Sequence, residues 1–284
     1  MGKFLKGLAA SLCGLALVLL LVWLQISPEK LSAFAKYQLE KVFPGLRAEL
    51  GPIETNLAGV TLQHATLYTN RKNQALVSLE QVHISLAPWN LVQGEAHFDM
   101  EIYGGEISGF LNFLTYQVTA NGREVQFALN SYVRKLQVLD SKPKLDFELD
   151  FALPKQSGTL SLTIQNIKTT KLVAQKTGLL VDLPRTKLDN IALKLDFGRN
   201  KAEVDLKTKG DVTGGVQGMV NFASIKSAAK GKMQLNLTIR ERLSAPYTKE
   251  LGFLGSLLEN FQQPNGLLAI KISGSSYAPK IDKL

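Results

Sequence analysis

Residues that do chemistry are scarce in this chain. One cysteine, Cys13, occurs in 284 residues, so no internal disulfide and no thiolate metal cluster can form. The histidines number three: His64, His83 and His97. The sequence has no glycine-rich phosphate loop, no nucleophile elbow, no zinc-protease helix motif and no serine with a suitable histidine partner. No catalytic residue, metal ligand or cofactor-binding residue is assigned, no cofactor is expected, and the chain does not read as an enzyme. Blocks of like charge are missing too, and basic residues nowhere cluster with aromatics, which excludes nucleic acid as a partner. The net charge of +9 still attracts polyanions such as lipid headgroups. With both signs interspersed, it suits a solvated face.

Against these absences stands one long apolar run, residues 7–26, broken only by Ser11 and Gln25. At ~1.5 Å rise per residue it gives about 30 Å, the thickness of a hydrocarbon core. Leu8, Leu12, Leu15, Leu17, Leu19, Leu20, Leu21 and Val22 fill this expected membrane anchor, and Trp23 suits the interface at its exit. Lys3 and Lys6 precede the run and few basic residues follow it, so residues 1–6 are expected in the cytoplasm. A cleaved signal peptide has a shorter apolar core and ends in small residues. Trp23, Leu24, Gln25 and Ile26 offer no such site, so the anchor is read as uncleaved. Leu12 before Cys13 is too large for a lipoprotein signal, and Lys6 breaks the myristoylation pattern.

Residues 27–44 read as a juxtamembrane amphipathic helix, with Ser27 as cap and Pro28 at the first helical position. Leu31, Phe34, Ala35, Gln38, Leu39 and Val42 share its apolar face, and Pro44 ends it. Such a helix either lies on the bilayer or docks on the domain that follows. Over residues 45–284 the hydrophobic period changes to two. Leu145, Phe147, Leu149, Phe151 and Leu153 alternate with Asp146, Glu148 and Asp150. Leu160, Leu162, Ile164, then Ile191, Leu193, Leu195, Phe197, then Met233, Leu235, Leu237, Ile239 repeat the pattern. So do Val82, Ile84, Leu86, then Phe98, Met100, Ile102, and finally Leu268, Ile270, Ile272. Asn121-Gly122, Gly198-Arg199-Asn200, Gly214-Gly215 and Gly104-Gly105 read as turns. Short turns mean an antiparallel meander, because parallel pairs need long crossovers. Leu251, Phe253, Leu254, Leu257, Leu258 and Phe261 read as a short amphipathic helix near the C-terminus, ended by Pro264 and Gly266.

His83 and His97 fall on polar strand faces, with Asp99 and Glu101 beside His97. A metal site drawn from His83, His97 and Asp99 needs a register that the spacing does not require, and solvated positions account for them. His64 lies where the alternation slips from even to odd positions, which reads as a bulge.

The expected fold is therefore mainly β: an anchor, then an antiparallel meander that forms either a curved open sheet with a groove or a sandwich. Both satisfy the same alternation. In the open form, Phe147, Leu149, Leu193, Leu195, Leu235 and Leu237 line a lipid groove.

Leu79, Val82, Ile84, Leu86, Leu91 and Gly94, then Tyr103-Gly104-Gly105-Glu106-Ile107-Ser108-Gly109, resemble the type II secretion system protein N family. Gly266-Leu267-Leu268, Ile270, Ile272, Gly274 and Pro279 resemble its closing pattern. With one N-terminal anchor and a long β-meander, that ending is also similar to the AsmA-like proteins of Gram-negative envelopes. The first resemblance implies a bacterial inner-membrane protein, single-pass, with its bulk in the periplasm. It would be a non-enzymatic accessory of a type II (general) secretion apparatus, with other apparatus subunits as partners. The second implies an apolar β-groove that binds or transfers phospholipid. Neither family offers catalytic residues to carry over.

Overall fold

The computed structural model describes residues 27–42, 46–56, 59–69, 74–85, 90, 92–152, 154–176, 179–223 and 233–284. The anchor residues, Leu8 through Trp23, lie outside them, and no described helix is long and apolar enough to cross a membrane. The described residues are mainly strand. Fifteen strands lie in open antiparallel sheet, five in the first of two units and ten in the second, and two more form a separate hairpin. The chain divides into two compact units, Met1–Ile102 and Tyr103–Leu284.

In the first unit, helix α1 (Pro28–Val42) precedes β1 (Leu46–Leu50), β2 (Ile53–Asn56), β3 (Gly59–Thr69), β4 (Gln74–Ser85) and β5 (Glu95–Ile102). β1 and β2 are too short to match β3, so they share one of its edges in succession, and β4 takes the other. Between them Gly51 N–H donates to the His64 carbonyl (2.8 Å) and Gln63 N–H to the Pro52 carbonyl (3.0 Å). His64 adopts φ +61°, the left-handed conformation of an irregular strand, where the alternation slips. α1 packs on β1 and β2. The Glu40 carboxylate accepts the Ala48 N–H at 3.3 Å, and Leu31 and Ala35 are half-buried. Phe34, expected on that face, is 60% exposed. Three positions beyond Leu31 in a 3.6-residue helix, it falls about 60° to one side of the docked stripe.

The second unit contains β6 (Gly105–Asn112), β7 (Gln117–Val125), the short helix α2 (Ser131–Leu136), β8 (Lys144–Ala152) and β9 (Ser157–Lys168). The hairpin β10 (Leu172–Lys176) and β11 (Leu179–Leu183) follows, then β12 (Lys187–Gly198), β13 (Lys201–Gly210), β14 (Val212–Phe222) and β15 (Met233–Leu243). Helices α3 (Ala245–Glu250) and α4 (Phe253–Glu259) lead to β16 (Leu268–Ser275) and β17 (Ala278–Lys283). The ten sheet strands pair in the order β6-β7-β8-β9-β12-β13-β14-β15-β16-β17. A sandwich is not formed: β10–β11 is the one other sheet among the described residues.

Three sequence expectations need correction here. Asn121-Gly122 and Gly214-Gly215 are not turns; they lie inside β7 and β14. Gly122 faces Phe147 on β8, and a Cβ there would come within 2.1 Å of its ring. The glycine admits an aromatic side chain instead of reversing the strand. The C-terminal helix is shorter than expected: α4 leaves Leu251 and Phe261 outside it, and Gly252 at φ +53° separates it from a further short helix, α3.

Candidate functional site

The strand register decides which side chains share a face. From β8 through β9, β12, β13 and β14 to β15, one lateral row runs Leu149, Leu160, Leu195, Val204, Gly218, Leu237. The row beside it runs Phe147, Leu162, Leu193, Leu206, Val216, Ile239. A third runs Phe151, Gly158, Phe197, Ala202, Val220, Leu235. Ala120 and Gly109 extend the first row onto β7 and β6, and Ile272 and Ile281 extend it onto β16 and β17. The register thus brings Phe147, Leu149, Leu193, Leu195, Leu235 and Leu237 to one face. Val204, Leu206, Val216 and Ile239 complete that face, and the same alternation marks them in the sequence.

The face is continuous but not closed. Each of the six expected residues is half-buried, neither sealed nor fully exposed. The deeply buried hydrophobic residues are mostly small or lie towards strand ends, such as Ala120, Val125, Ala202 and Leu268. Among the described residues, Pro143 is the largest side chain that is fully buried. Phe151 and Phe197 meet edge to face at 6.1 Å between centroids and 79° between planes. The intervening Gly158 carries no side chain to separate them.

The opposite face is polar. Gln117 donates to Asp150 (2.8 Å) and Gln217 to Asp205 (3.1 Å). Lys194–Asp196 at 3.3 Å and Lys207–Asp205 at 3.4 Å pair along single strands. The Gln217 hydrogen bond, helped by Lys207, holds the Asp205 carboxyl below its ordinary value. These are exposed pairs, each adding little to stability but keeping this side wetted.

Among the described residues, one charged side chain is buried on the apolar side. Glu241 is 6% exposed and lies opposite Gly214 on β14 and Leu268 on β16. Its carboxylate reaches across Gly214 to accept from the Thr208 hydroxyl at 2.9 Å. Burial pushes its pKa up, against the lowering effect of that hydrogen bond. Between Arg240 and Arg242 it looks solvated in the sequence; the period-two phase carried on from Ile239 was the one signal for its position. Towards this end of the sheet, Ser244 N–H donates to the Asp211 carbonyl (2.8 Å) ahead of α3. On α3 itself, the Tyr247 hydroxyl accepts from Thr186 (3.0 Å).

The histidines do not converge. His83 faces Asp99 across β4 and β5, but its Nδ1 bonds the Thr61 hydroxyl (2.9 Å), and His97 Nε2 meets Glu95 (3.1 Å). Among the described residues no three His, Cys, Asp or Glu side chains are placed to hold a metal ion. Comparison with family models, curated proteins and solved structures gives no match. Among the described residues the arrangement offers a continuous hydrocarbon surface.

Proposed function

We propose that this protein is a non-enzymatic, membrane-anchored lipid-binding protein that holds acyl chains on the apolar face of β6–β17. In this reading its anchor sits in a bacterial inner membrane and its strands in the periplasm. One observation carries the reading: a face apolar in three adjoining rows from β8 to β15, its large side chains half-buried, with no second layer over it among the described residues. Nine strand spacings of ~4.8 Å make it about 43 Å long, and three rows make it about 14 Å wide. One leaflet of a bilayer core is ~15 Å deep, so the face is long enough for acyl chains laid across its strands. From β8 to β15 its three rows carry no hydrogen-bonding side chain, so an occupant there must be hydrocarbon, and Lys283 at the β17 edge is in register with the same face.

Energetics favour exchange over permanent capture. Taking a methylene from water is worth about 0.8 kcal/mol, but a chain passing from a bilayer to a leucine wall leaves one hydrocarbon surface for another. The net change is small. Lipid can then be taken up and released again.

Mass spectrometry of the purified protein tests the reading. Phospholipid should co-purify with the parent chain, and Leu195→Asn and Leu235→Asn should reduce it. Their melting temperatures should fall only modestly, because an asparagine on an open wall keeps access to water or lipid headgroups. A parent chain free of lipid, with both variants collapsed, would leave the secretion-apparatus accessory in its place, with a protein partner on this face.

A further inference from the structure

From the outer surface of α1 we infer a second membrane contact: the helix lies along the bilayer surface, with Phe34 and Tyr37 in the headgroup region. This inference rests on reading residues 7–26 as an anchor, and is independent of whether the sheet of the second unit holds lipid.

The helix has two apolar sides with different partners. Leu31 and Ala35 are half-buried on a helix that packs on β1 and β2. Lys30, Phe34 and Tyr37, at i, i+4 and i+7, fall within about 60° of one another on another side. Phe34 is 60% exposed and Tyr37 61%, and Lys30 is exposed with them. Glu29 falls outside that arc. Two exposed aromatics one turn apart are costly in water, whereas aromatic rings with lysines beside them are the composition of a bilayer interface. The lysine complements anionic headgroups, in keeping with the chain's +9 charge.

Continuity of the chain fixes the occupant. The apolar run stops at residue 26, and α1 begins at Pro28, its first turn built on the Ser27 carbonyl, which accepts from Lys30 N–H (3.0 Å) and Leu31 N–H (3.2 Å). No linker separates the two, so a run that ends at the membrane surface delivers α1 to that surface. Docking on the strands and lying on the bilayer are therefore not alternatives. One side of the helix does each, and the helix acts as a spacer between the strands and the lipid.

Site-directed spin labelling of the full chain tests this in vesicles of phosphatidylethanolamine and phosphatidylglycerol. Single cysteines are placed at Phe34, Tyr37 and, as control, the exposed strand residue Glu54, in a Cys13→Ala background. Labels at positions 34 and 37 should be reached by oxygen more readily than by a polar nickel complex, the signature of interfacial depth. The label at position 54 should show the reverse. Labels at 34 and 37 that behave like the one at 54, or that are shielded from both reagents as in a protein contact, would overturn the inference with the anchor intact. A chain that fails to float with the vesicles would overturn the anchor reading and the inference together.

Discussion

Glu241 places a carboxyl on the apolar face of the second unit, where the Thr208 hydroxyl donates to it. Burial raises its folded pKa above the unfolded value. The folded state thus binds the proton more tightly, and stability from this group is fully present below the ordinary glutamate value of about 4.3 and is lost as pH rises through the folded value. Glu241→Gln removes the ionisation while keeping an acceptor for Thr208. The variant should melt higher than the parent at pH 7, and the gap should close at about pH 4, where both carry a neutral side chain. Calorimetry across that range checks it; a gap unchanged with pH would mean that ionisation is not the cause. Gly122 illustrates what was not legible at this scale. Asn-Gly is a turn signal by local chemistry, and only the Phe147 ring on the next strand explains a glycine in mid-strand.

Among the elements, strands were legible because their signal is local. Leu145, Phe147, Leu149 and Phe151 against Asp146, Glu148 and Asp150 specify a two-faced strand with no knowledge of its neighbours, and β8 covers them all. Helices separated less cleanly. α1 begins at Pro28, where the sequence signals a helix start, but the sequence puts Phe34 on one apolar face with Leu31 and Ala35, because an apolar stripe does not say which part of it meets protein. The helix expected from Leu251 to Phe261 is shortened to α4, since Gly252 at φ +53° changes the chain's direction after the separate helix α3. A side chain there is strained by its own backbone, and nothing lies within 4 Å of where a Cβ would sit. Gly252→Ala should therefore cost about 1–3 kcal/mol from conformation alone. Urea denaturation should show a lower midpoint with an unchanged slope. A neutral result would mean that the α3–α4 bend relaxes freely.

At the scale of the molecule, the apolar face leaves the folded chain with hydrocarbon uncovered, and an amphiphile that binds it should add stability by mass action. A fragment beginning near residue 45 has the strands without the anchor. It should fold in buffer without detergent and give a strand-dominated circular dichroism spectrum. At a hundredfold excess over its dissociation constant, a lysophospholipid contributes about 2.7 kcal/mol, which for a chain of this size corresponds to roughly 5–10 °C in melting temperature. Thermal scans with and without the lipid check this. No shift at saturating, sub-micellar concentration would count against an open face, and a fragment that stays unfolded would count against a core independent of the anchor.

The sequence by itself determined that the chain is β-rich, that its strands are antiparallel and joined by short turns, and which residues of each strand lie together on one side. All of these follow from interactions a few residues apart: alternation on a pleat, φ-permissive turns, a helix cap. It also held the 7–26 run that reads as an anchor. The tertiary structure decided the register that lines Leu149, Leu160, Leu195 and Leu237 into one row, the turning of Glu241 onto the apolar side, and the choice of an open sheet over a sandwich. Those depend on which distant strands pair and on whether a second layer exists to cover them. An alternating strand carries the same pattern in either case, because its apolar side needs only to leave water, not to meet any particular neighbour.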